Sequence, residues 1–568
     1  MPQDAFTLRV LCGELNQRFT GGKINRIVQP SPDELLFTLY TGKRTEKLLI
    51  DVNPAAPRIG ITEEDKESPL TAPNFCMLLR KHLLNAEIKG ITLVGFDRIV
   101  KIDLAASSEF FDAGEKTLFV ELMGRYSNVI LTENGKVLGG NRGINCFDNG
   151  VRPLIVGRNY VFPPVGDKKL PSDKSLIVVF SGAERQNLPA LVTESVQGVA
   201  QSTAQELADE YFDNRSGKDR SDGEEFFEFM NDFLYRPEIA PCVYCDKGAI
   251  KDVCVFPYGC IKAENKIDFP DLISAERYYY SERGRIKAFT ALKERLTSVT
   301  SAALKKAQKR FNAVSAREKD AASAEDNRLK GELILANVYK FKGREKSATL
   351  LNYYDGTEIS IPLDENLSAA ANAEKYYKKY NKQKRALAAL APEKERAEKD
   401  IDYLRSLLDF IDMAENSDDL ESIKEELLSA ELLKDKNPSR KKVKQKTLGR
   451  EYVVKGFSVV AGRNNTENDA LVYSAKSDDI WLHAKDYHSS HVIIRTEGKK
   501  VPEEVLTKAA GLCAYYSKGR GGRPEIAYTE RKFLKKPPKS KAGFFVYSEY
   551  KSMLAEPDNC AECLKNRY

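Results

Sequence analysis

The N-terminal part of the chain opens with apolar residues at helical spacing and continues with short alternating runs. Phe6, Val10, Leu11 and Leu15 fall on one helical face, which predicts an amphipathic helix. Runs bounded by Gly, Pro or Asp predict strands at residues 23–28, 34–41, 47–52, 87–96, 99–104, 117–122 and 128–132, and a helix at 74–84. An Asn-Gly pair within residues 133–136 predicts a hairpin turn. These elements predict an α+β domain over residues 1–178.

A short helical segment follows in residues 179–272. One helix begins near Leu188, the run Val196-Gln-Gly-Val199 interrupts the helical pattern, and another helix begins near Thr203. This order predicts a helix-hairpin-helix module, followed by a β segment. Such modules bind phosphate backbones through hairpin N–H groups and helix N-termini. An ordinary αα-hairpin has the same pattern and remains an alternative.

Residues 273–433 change to heptad spacing. The apolar positions of the first helix are Phe289, Leu292, Leu296, Val299 and Ala303, and those of the second are Ile401, Leu404, Leu408 and Ile411. Between the helices, β-like runs at 348–354 and 358–362 flank Asp355-Gly356. The pattern predicts a long antiparallel coiled coil with a β-hairpin tip. A projecting arm and a dimerisation rod are both compatible with it.

The last part of the chain combines a basic stretch with a compact unit. Residues 434–446 contain seven Lys or Arg and one acid, which predicts a basic linker at 434–448. Residues 449–568 are predicted to form a small α+β domain and tail, with strands at 452–460, 480–484, 491–495, 525–528 and 543–547, and a helix at 503–516. The fold class is therefore an α+β multidomain protein.

A second basic cluster lies inside this last domain. Its members are Lys518, Arg520, Arg523, Arg531, Lys532, Lys535, Lys536, Lys539 and Lys541. Local positive fields of this kind favour polyanions such as nucleic acids. Solubility and a flexible tether are the alternative explanations for both basic segments.

Composition limits the class of protein. With 568 residues, 42% hydrophobic and 30% charged, the chain can build packed cores. No run approaches the ~18 uninterrupted apolar residues of a spanning helix, no secretory signal is apparent at the N-terminus, and ten cysteines do not form a disulfide framework at this length. We therefore expect a cytoplasmic protein with no membrane partner.

Three of the four histidines and the single tryptophan fall within residues 481–491. Aromatic and imidazole planes near Arg and Asn suit stacking on unstacked RNA and hydrogen bonding to it. The candidate RNA-binding residues are Arg463, Asn464, Asn465, Trp481, His483, His491, Lys535 and Lys536. The alternative is a core tryptophan with structural histidines.

Two segments of the first domain are candidate contact sites. Asp97 and Arg98 adjoin at a tight bend and could present a charge pair to a polar partner, or form a simple turn ion pair. In the segment Glu121-Leu-Met-Gly-Arg-Tyr-Ser-Asn128, Arg125 and Tyr126 could meet a phosphate and a stacked base.

Metal and enzyme motifs are weak or missing. Cys242, Cys245, Cys254 and Cys260 form one CxxC followed by unequal spacing, which is a weak zinc candidate beside the alternative of buried strand cysteines. No Walker loop, Rossmann glycine run, HExxH or GxSxG occurs. We expect no metal, no cofactor and no catalytic activity.

The motifs together resemble the NFACT family over nearly the whole length. The matching segments are the helix at 6–15, Gly22-Lys-Ile-Asn-Arg-Ile27, Asp97-Arg98, the segment 121–128, 363–368, 372–380, Gly462-Arg-Asn-Asn465, Asn468-Asp469, Asp479-Ile-Trp-Leu-His-Ala484, Ser490-His-Val-Ile-Ile494 and Leu534-Lys-Lys-Pro537. The chain departs from the family at His488-Ser489, where Pro-Gly is usual, and in its four clustered cysteines.

The resemblance implies a role in ribosome quality control. Bacterial members of this family bind stalled large ribosomal subunits that still carry peptidyl-tRNA, recruit alanyl-tRNA, and direct untemplated alanine tailing of the nascent chain. The implied partners are the large subunit and its 23S rRNA, tRNA, and the small protein RqcP. The implied tRNA-binding and tailing residues are Asp97, Arg98, Glu121, Met123, Gly124, Arg125, Tyr126, Ser127 and Asn128. The family's C-terminal domain is an RNA-binding domain.

Two other functions are compatible with the family's features. Its N-terminal part looks distantly like DNA glycosylases that use an N-terminal proline, but position 3 here is Gln, which cannot serve as their acid. An older family label, fibronectin-binding protein A, suggests a surface adhesin.

Overall fold

The structure, a computed structural model, describes residues 3–66, 68–105, 115–142, 152, 154–215, 220–246, 249–434 and 448–564. It separates into two compact units, Met1–Ile286 and Lys287–Tyr568. The α+β multidomain fold class is confirmed. The predicted basic linker falls almost entirely on residues 435–447, which lie outside the described residues. Across the described chain, no helix has the length and apolar character needed to cross a membrane.

A nine-stranded antiparallel sheet forms the core of the first unit, in the order β4-β3-β2-β1-β5-β6-β7-β8-β9. Its strands are β1 (Lys23–Ser31), β2 (Glu34–Tyr40), β3 (Thr45–Asp51), β4 (Arg58–Ile61), β5 (Glu87–Leu93), β6 (Ile99–Ala105), β7 (Glu115–Glu121), β8 (Asn128–Glu133) and β9 (Lys136–Gly140). The helices α1 (Ala5–Phe19) and α2 (Asn74–Leu83) pack their apolar faces on this sheet. Strands β4 and β9 were not predicted from the sequence.

Four further helices and a small sheet follow in the described part of the first unit. The helices are α3 (Leu176–Phe180), α4 (Leu188–Ser195), α5 (Gln201–Asp213) and α6 (Gly223–Tyr235), and the sheet pairs β10 (Cys242–Asp246), β11 (Ala249–Cys254) and β12 (Asn265–Asp268). The hairpin between α4 and α5 contains Gly198, whose carbonyl accepts a hydrogen bond from the Ala5 N–H at 2.8 Å. The hairpin therefore packs against the start of α1.

Two long helices form the antiparallel coiled coil of the second unit. They are α7 (Leu272–Ala322), whose later part belongs to this unit, and α9 (Ala369–Met413). Leu296 packs against Leu404 and Leu407, and Arg310 pairs with Glu393 at 3.2 Å, so the helices run in opposite directions. Helix α8 (Ala324–Ala336) and the hairpin β13 (Ser347–Leu351) and β14 (Glu358–Pro362) form the tip, and α10 (Ser417–Ser429) follows α9.

The C-terminal domain is a six-stranded sheet in the order β15-β16-β18-β17-β19-β22, with one face covered by a helix. Its elements are β15 (Arg450–Val454), β16 (Phe457–Ala461), α11 (Asn465–Ser474), β17 (Ile480–Ala484), β18 (Val492–Arg495), α12 (Glu503–Tyr515), β19 (Glu525–Glu530), the short pair β20 (Leu534–Lys535) and β21 (Val546–Tyr547), and β22 (Lys551–Leu554). The single strand predicted at 452–460 is instead a hairpin. Lys455 and Gly456 both have positive φ, +48° and +81°, as a tight two-residue turn requires.

Gly198 offers a direct test of the packing between the hairpin and α1. Its φ is +76°, and a Cβ there would overlap Ala5 Cβ and the Phe96 carbonyl oxygen. We expect Gly198→Ala to lower the free energy of unfolding of the first unit by about 3 kcal/mol or more, from backbone strain and overpacking together.

The matched control is Gly182→Ala. Gly182 has a similar φ of +73° and nothing within 4 Å of the added Cβ, so only backbone strain of about 1 kcal/mol should appear. Urea unfolding followed by circular dichroism measures both variants. Equal losses in the two variants would contradict the packing described for the hairpin.

Candidate RNA-binding surfaces

Asp97 and Arg98 form the turn that leads into β6. The Asp97 carboxylate accepts the Arg98 N–H at 2.7 Å and the Gln197 side-chain amide at 3.0 Å. The Arg98 carbonyl accepts the Leu122 N–H at 2.9 Å, which places this turn beside the end of β7. Asp97 thus shapes the turn and joins it to the α4–α5 hairpin, and Arg98 is half-buried at the same edge of the sheet.

Three of the predicted tRNA-binding residues in the segment 121–128 are buried. The Glu121 carboxylate is 1% exposed and receives both Arg152 guanidinium nitrogens, at 3.0 and 2.6 Å, together with the Tyr160 hydroxyl at 2.7 Å. Ser127 and Asn128 are also buried. Direct RNA contact by Glu121, Ser127 and Asn128 is therefore corrected to a supporting role, because their polar atoms lie inside the protein.

Buried Asn128 and its neighbours set the shape of an exposed loop. The Asn128 side-chain oxygen accepts the N–H groups of Val129 and Arg142, both at 2.9 Å. The Arg142 guanidinium in turn donates to the carbonyls of Arg125, at 2.9 Å, and Val52, at 2.7 Å. These bonds hold the loop between β7 and β8 against the end of β3.

The tip of this loop exposes one cation and one aromatic ring. Gly124 has φ of +58°, a left-handed conformation that reverses the chain, and Met123 is half-buried against the apolar cluster of Ile99 and Phe119. Arg125 and Tyr126 are exposed, with the guanidinium carbon 4.7 Å from the ring centroid. A guanidinium beside an exposed ring can bind a phosphate and stack on a base.

The α4–α5 hairpin uses its N–H groups internally. The Ala200 N–H donates to the Asp4 carboxylate at 3.1 Å, and the Gln197 N–H donates to the Lys169 carbonyl at 2.8 Å. Asp4 also caps α1 by accepting the Thr7 N–H at 2.9 Å. These two N–H groups are therefore not available to grip a phosphate backbone as the sequence pattern had suggested.

Trp481 and His491 are core residues of the C-terminal domain. They are 1% and 2% exposed, and Trp481 stacks on His483 with centroids 5.6 Å apart. Burial lowers the pKa of His483 to about 4 and the pKa of His491 well below its usual value, so both rings are neutral at pH 7. The prediction that Trp481 and His491 stack on RNA is wrong for this conformation, since no base can reach them.

Arg463, Asn464 and Asn465 are also buried, and the two asparagines fasten the C-terminal domain to helices of the same unit. The Asn464 side chain caps α11 and donates to Ser422 of α10 at 2.8 Å. The Asn465 side chain donates to Ser406 of α9 at 2.9 Å. The Arg463 guanidinium donates to the Gly449 carbonyl at 2.6 Å. Their predicted RNA contacts are corrected to internal ones.

Most of the second basic cluster is paired with acids in the same unit. Lys536 forms an ion pair with Asp469, Lys518 contacts Asp409 and Asp412, both at 3.3 Å, and Lys541 contacts Asp400 at 2.6 Å. The structure describes all residues of this cluster, and among them Arg520, Lys535 and Lys539 are exposed and form no ion pair with another described residue. The cations still open to a polyanion are therefore fewer than the sequence suggested.

His488 of the C-terminal domain contacts two acidic residues of α9. The His488 Nδ1 lies 2.7 Å from Asp409 and its Nε2 lies 3.2 Å from Asp402. Hydrogen bonds to Asp402 and Asp409 raise the pKa of His488 to about 9. His488 is therefore a cation at pH 7 and joins the domain to α9. The Pro-Gly usual in the family at this position has no such group.

The sulfur atoms of the four clustered cysteines do not converge on one point. Cys242 and Cys254 face each other across β10 and β11, and the Cys260 thiol points to the Ser202 carbonyl. Burial raises the pKa of Cys242 to about 11 and of Cys260 to about 12, so both thiols are protonated at pH 7 in the metal-free protein. In the described chain, three possible metal ligands converge only at Asp558, Cys560 and Glu562.

Two protein-family models match the chain. A family model for the NFACT protein RNA-binding domain matches residues 451–548, so the C-terminal sheet belongs to a class of RNA-binding domains. A model for the NFACT N-terminal and middle domains matches residues 4–446. The chain belongs to the NFACT family.

Curated relatives cover nearly the whole chain. The protein named Rqc2 homolog RqcH from Bacillus subtilis (strain 168) is 29% identical and covers 96% of each chain. The Rqc2 homolog RqcH of Streptococcus suis (strain 05ZYH33) is 30% identical and covers 98% of each. Among solved structures, the N-terminal part of the fibronectin/fibrinogen-binding protein from Streptococcus suis is 27% identical, with a TM-score of 0.42, and covers 49% of this chain and 99% of that one.

Sequence reasoning missed the residues that support these surfaces. Arg142, Arg152 and Tyr160 lie 14 to 39 positions from their partners, and the acids of α9 lie still further from His488. The one available signal was Glu121, a carboxylate between the apolar run Leu118-Phe119-Val120 and Leu122, because a buried charge needs a cationic partner.

The contact between His488 and α9 predicts a pH-dependent stability. The folded pKa of about 9 lies above the value of about 6.5 in an unfolded chain. The stabilising contribution is therefore complete below pH 6.5 and is lost as the pH rises toward 9. We expect the free energy of unfolding of the second unit to fall by on the order of 2 kcal/mol over this range, and His488→Gln to remove most of that fall.

Trp481, the only tryptophan, reports unfolding of this unit by its fluorescence. His82→Gln, which removes the histidine of the first unit, is the control and should leave the pH dependence unchanged. If His488→Gln retains the whole decline between pH 6.5 and 9, the ion pairs with Asp402 and Asp409 are not formed in solution.

Proposed function

We propose that this protein is a ribosome-associated quality control factor. It binds stalled large ribosomal subunits that carry peptidyl-tRNA, recruits alanyl-tRNA, and directs untemplated addition of alanine to the C-terminus of the nascent chain. The ribosome forms the peptide bond, and the protein acts as a tRNA-recruiting factor without catalytic residues. It works in the cytoplasm with tRNA, 23S rRNA and the small protein RqcP as partners.

The observation that supports this proposal most strongly is the edge of the first unit at Arg98. In the NFACT family, which the chain resembles over nearly its whole length, tailing depends on an Asp-Arg pair that corresponds to Asp97 and Arg98 here. Here the Arg98 backbone is hydrogen-bonded beside the β7–β8 loop that exposes Arg125 and Tyr126. At this one sheet edge, the guanidinium groups of Arg98 and Arg125 can contact an RNA backbone, and the Tyr126 ring can stack on an accessible base. Relatives named Rqc2 homolog RqcH at about 30% identity support the same role.

The glycosylase alternative conflicts with the position of Gln3. Its side-chain amide is 4% exposed and donates to the Ile59 carbonyl and to the Glu276 carboxylate, both at 2.7 Å. A residue held in the core in this way cannot act on a DNA substrate. The proline that such enzymes use would be residue 2, which lies outside the described residues.

The double variant Asp97→Ala with Arg98→Ala tests the proposed role of this edge. We expect it to abolish alanine tails on a stalled reporter chain, because the tRNA is no longer positioned. Co-sedimentation with large subunits should persist, since the C-terminal RNA-binding domain is unchanged. Mass spectrometry of the reporter C-terminus and gradient sedimentation measure the two effects separately.

The matched control is Glu87→Ala with Lys89→Ala. These residues form an exposed ion pair on β5 of the same sheet, with 2.8 Å between their charged atoms, so the same two charge types are removed elsewhere. The control should tail normally. Normal tailing by the Asp97 and Arg98 variant, or loss of tailing in both variants, would refute the assignment of this edge.

A further inference from the structure

Helix α9 covers part of a basic face of the C-terminal domain within the second unit. Lys518 contacts Asp409 and Asp412, both at 3.3 Å, and Lys541 contacts Asp400 at 2.6 Å. The three carboxylates belong to one helix and present a row of negative charges to the domain. Electrostatically, such a row resembles the phosphates of a nucleic-acid backbone, which basic proteins bind by charge.

The two paired lysines belong to a larger set of cations. Arg520 lies two positions after Lys518, and Lys535 and Lys539 precede Lys541 in the chain. Lys518 and Lys541 line the same cavity, so the two segments adjoin in space. These five residues are called the basic face below. Helix α9 neutralises Lys518 and Lys541, and the other three cations remain open.

The covered part of the basic face contains a cavity of about 700 Å³ between α9 and the domain. Its aromatic lining comes from both sides, with Tyr403 and Phe410 on α9 and Tyr487 and Phe544 on the C-terminal domain. Tyr487 and Phe544 are 45% and 49% exposed. Proteins stack the bases of single-stranded RNA on exposed rings that lie beside cations. Helix α9 therefore covers a surface suited to RNA without packing closely against it.

The ion pairs that cover this surface are partly open to water. The side chains of Lys518 and Lys541 are each about half-exposed, and ion pairs in water contribute little net stability and are screened by salt. The contacts of Asn464 and Asn465 with α10 and α9 are buried, and they keep the domain attached to these helices. A phosphate can therefore replace a carboxylate beside either lysine while the domain stays in place.

We propose that α9 carries an internal competitor for RNA, formed by the carboxylates of Asp400, Asp409 and Asp412. They occupy Lys518 and Lys541 until the phosphates of a single-stranded RNA displace them. This competition weakens the binding of an RNA that makes few phosphate contacts, and so favours strands that reach the whole basic face. The inference rests on the class of the C-terminal domain, an NFACT protein RNA-binding domain, and goes beyond the proposed function.

The test is Asp400→Asn with Asp412→Asn in the full-length protein. This double variant releases Lys541 from its acid, weakens the pairing of Lys518, and retains Asp409. We expect it to bind a short single-stranded RNA of mixed sequence about fivefold more tightly than wild type at low ionic strength. Each added phosphate contact should steepen the dependence of log K on log salt concentration by about 0.7. Titrations at several salt concentrations measure both quantities.

A second pair of substitutions locates the gain in affinity. In the otherwise wild-type protein, Lys518→Ala with Lys541→Ala should lower RNA affinity by less than about twofold, because α9 already neutralises both cations. In the protein that also carries Asp400→Asn and Asp412→Asn, the same two substitutions should remove the whole gain. An equal loss in both backgrounds would mean that the lysines bind RNA independently of the acids, and the proposal would be wrong.

The control for total charge is Glu325→Gln with Glu374→Gln. These exposed acids pair with Arg328 at 2.6 Å and with Lys378 at 2.7 Å. Glu374 lies roughly 40 Å from Asp400 along α9 at ~1.5 Å per residue, so the same change of charge occurs far from the basic face. RNA affinity should rise less than in the double aspartate variant. Equal gains in the two variants, or no gain in the aspartate variant with an unchanged thermal unfolding midpoint, would contradict the competition.

Cross-linking with a carbodiimide, which joins a lysine to a carboxylate in contact with it, detects the displacement directly. Lys541 and Asp400 should cross-link in the free protein, and saturating RNA should lower that yield. The pair Lys394 and Glu318, at 2.6 Å across the coiled coil, should cross-link equally with and without RNA. Mass spectrometry of the joined peptides measures both yields, and an undiminished Lys541–Asp400 cross-link at saturating RNA would overturn the inference.

The RNA probe separates this inference from the proposed function. Its sequence is arbitrary, so the result does not depend on tRNA or 23S rRNA being the natural ligand. If the competition is found but neither RNA binds the protein in cells, the proposed function fails and this inference stands. If both RNAs bind and the aspartate variant gains no affinity, the reverse holds.

Discussion

A polar group that is removed from water must find a partner inside the protein, and this constraint decides which residues remain free to meet RNA. In the first unit, Glu121 is buried and satisfied by Arg152 and Tyr160. In the second, Asn464 and Asn465 are bound by serines of α10 and α9. These contacts hold loops and domains in place, and they remove several conspicuous polar residues from the candidate surface.

The part of the candidate RNA-binding surface that remains exposed is small. At the edge of the first unit it consists of Arg125 and Tyr126, on the loop beside Arg98. On the C-terminal domain it includes Arg520, Lys535 and Lys539, while other cations of that region are paired with acids. A surface of this kind binds a backbone by charge and an accessible base by stacking, and it needs no catalytic group to do so. That is consistent with a factor that positions RNA for a reaction performed elsewhere.

Local sequence patterns predict an element well when its apolar residues repeat with one period over many residues. The face of α1 and the heptads of α7 and α9 were found because helical spacing repeats over several turns. The sequence analysis misses the hairpin at Lys455-Gly456 because Lys-Gly is a weaker turn signal than Asn-Gly or Asp-Gly, so the apolar residues on its two sides are joined into one strand. Helix α11 was missed because its cap, Asn464, was interpreted as a contact residue.

The site was predictable only in part, since burial depends on residues far apart in the chain. Trp481 and His491 are rare residues in a cluster, which suggests recognition, yet Trp481 packs in an apolar cluster that includes Leu534, and His491 is buried beside it. The ion pairs of His488 join residues 79 and 86 positions apart. Local sequence spacing cannot predict ion pairs between residues so far apart in the chain. Arg125, a candidate from its motif, has an exposed side chain, and its contact with RNA stays a prediction.

Sequencing of the RNA that co-purifies with the full-length protein from its own cells tests the central claim most directly. The claim is that this chain holds RNA of the translation machinery. The account predicts strong enrichment of tRNA and 23S rRNA over a mock purification, with the tRNA fraction reduced when Arg125 is replaced by alanine. Recovery of neither RNA above the mock level would contradict it.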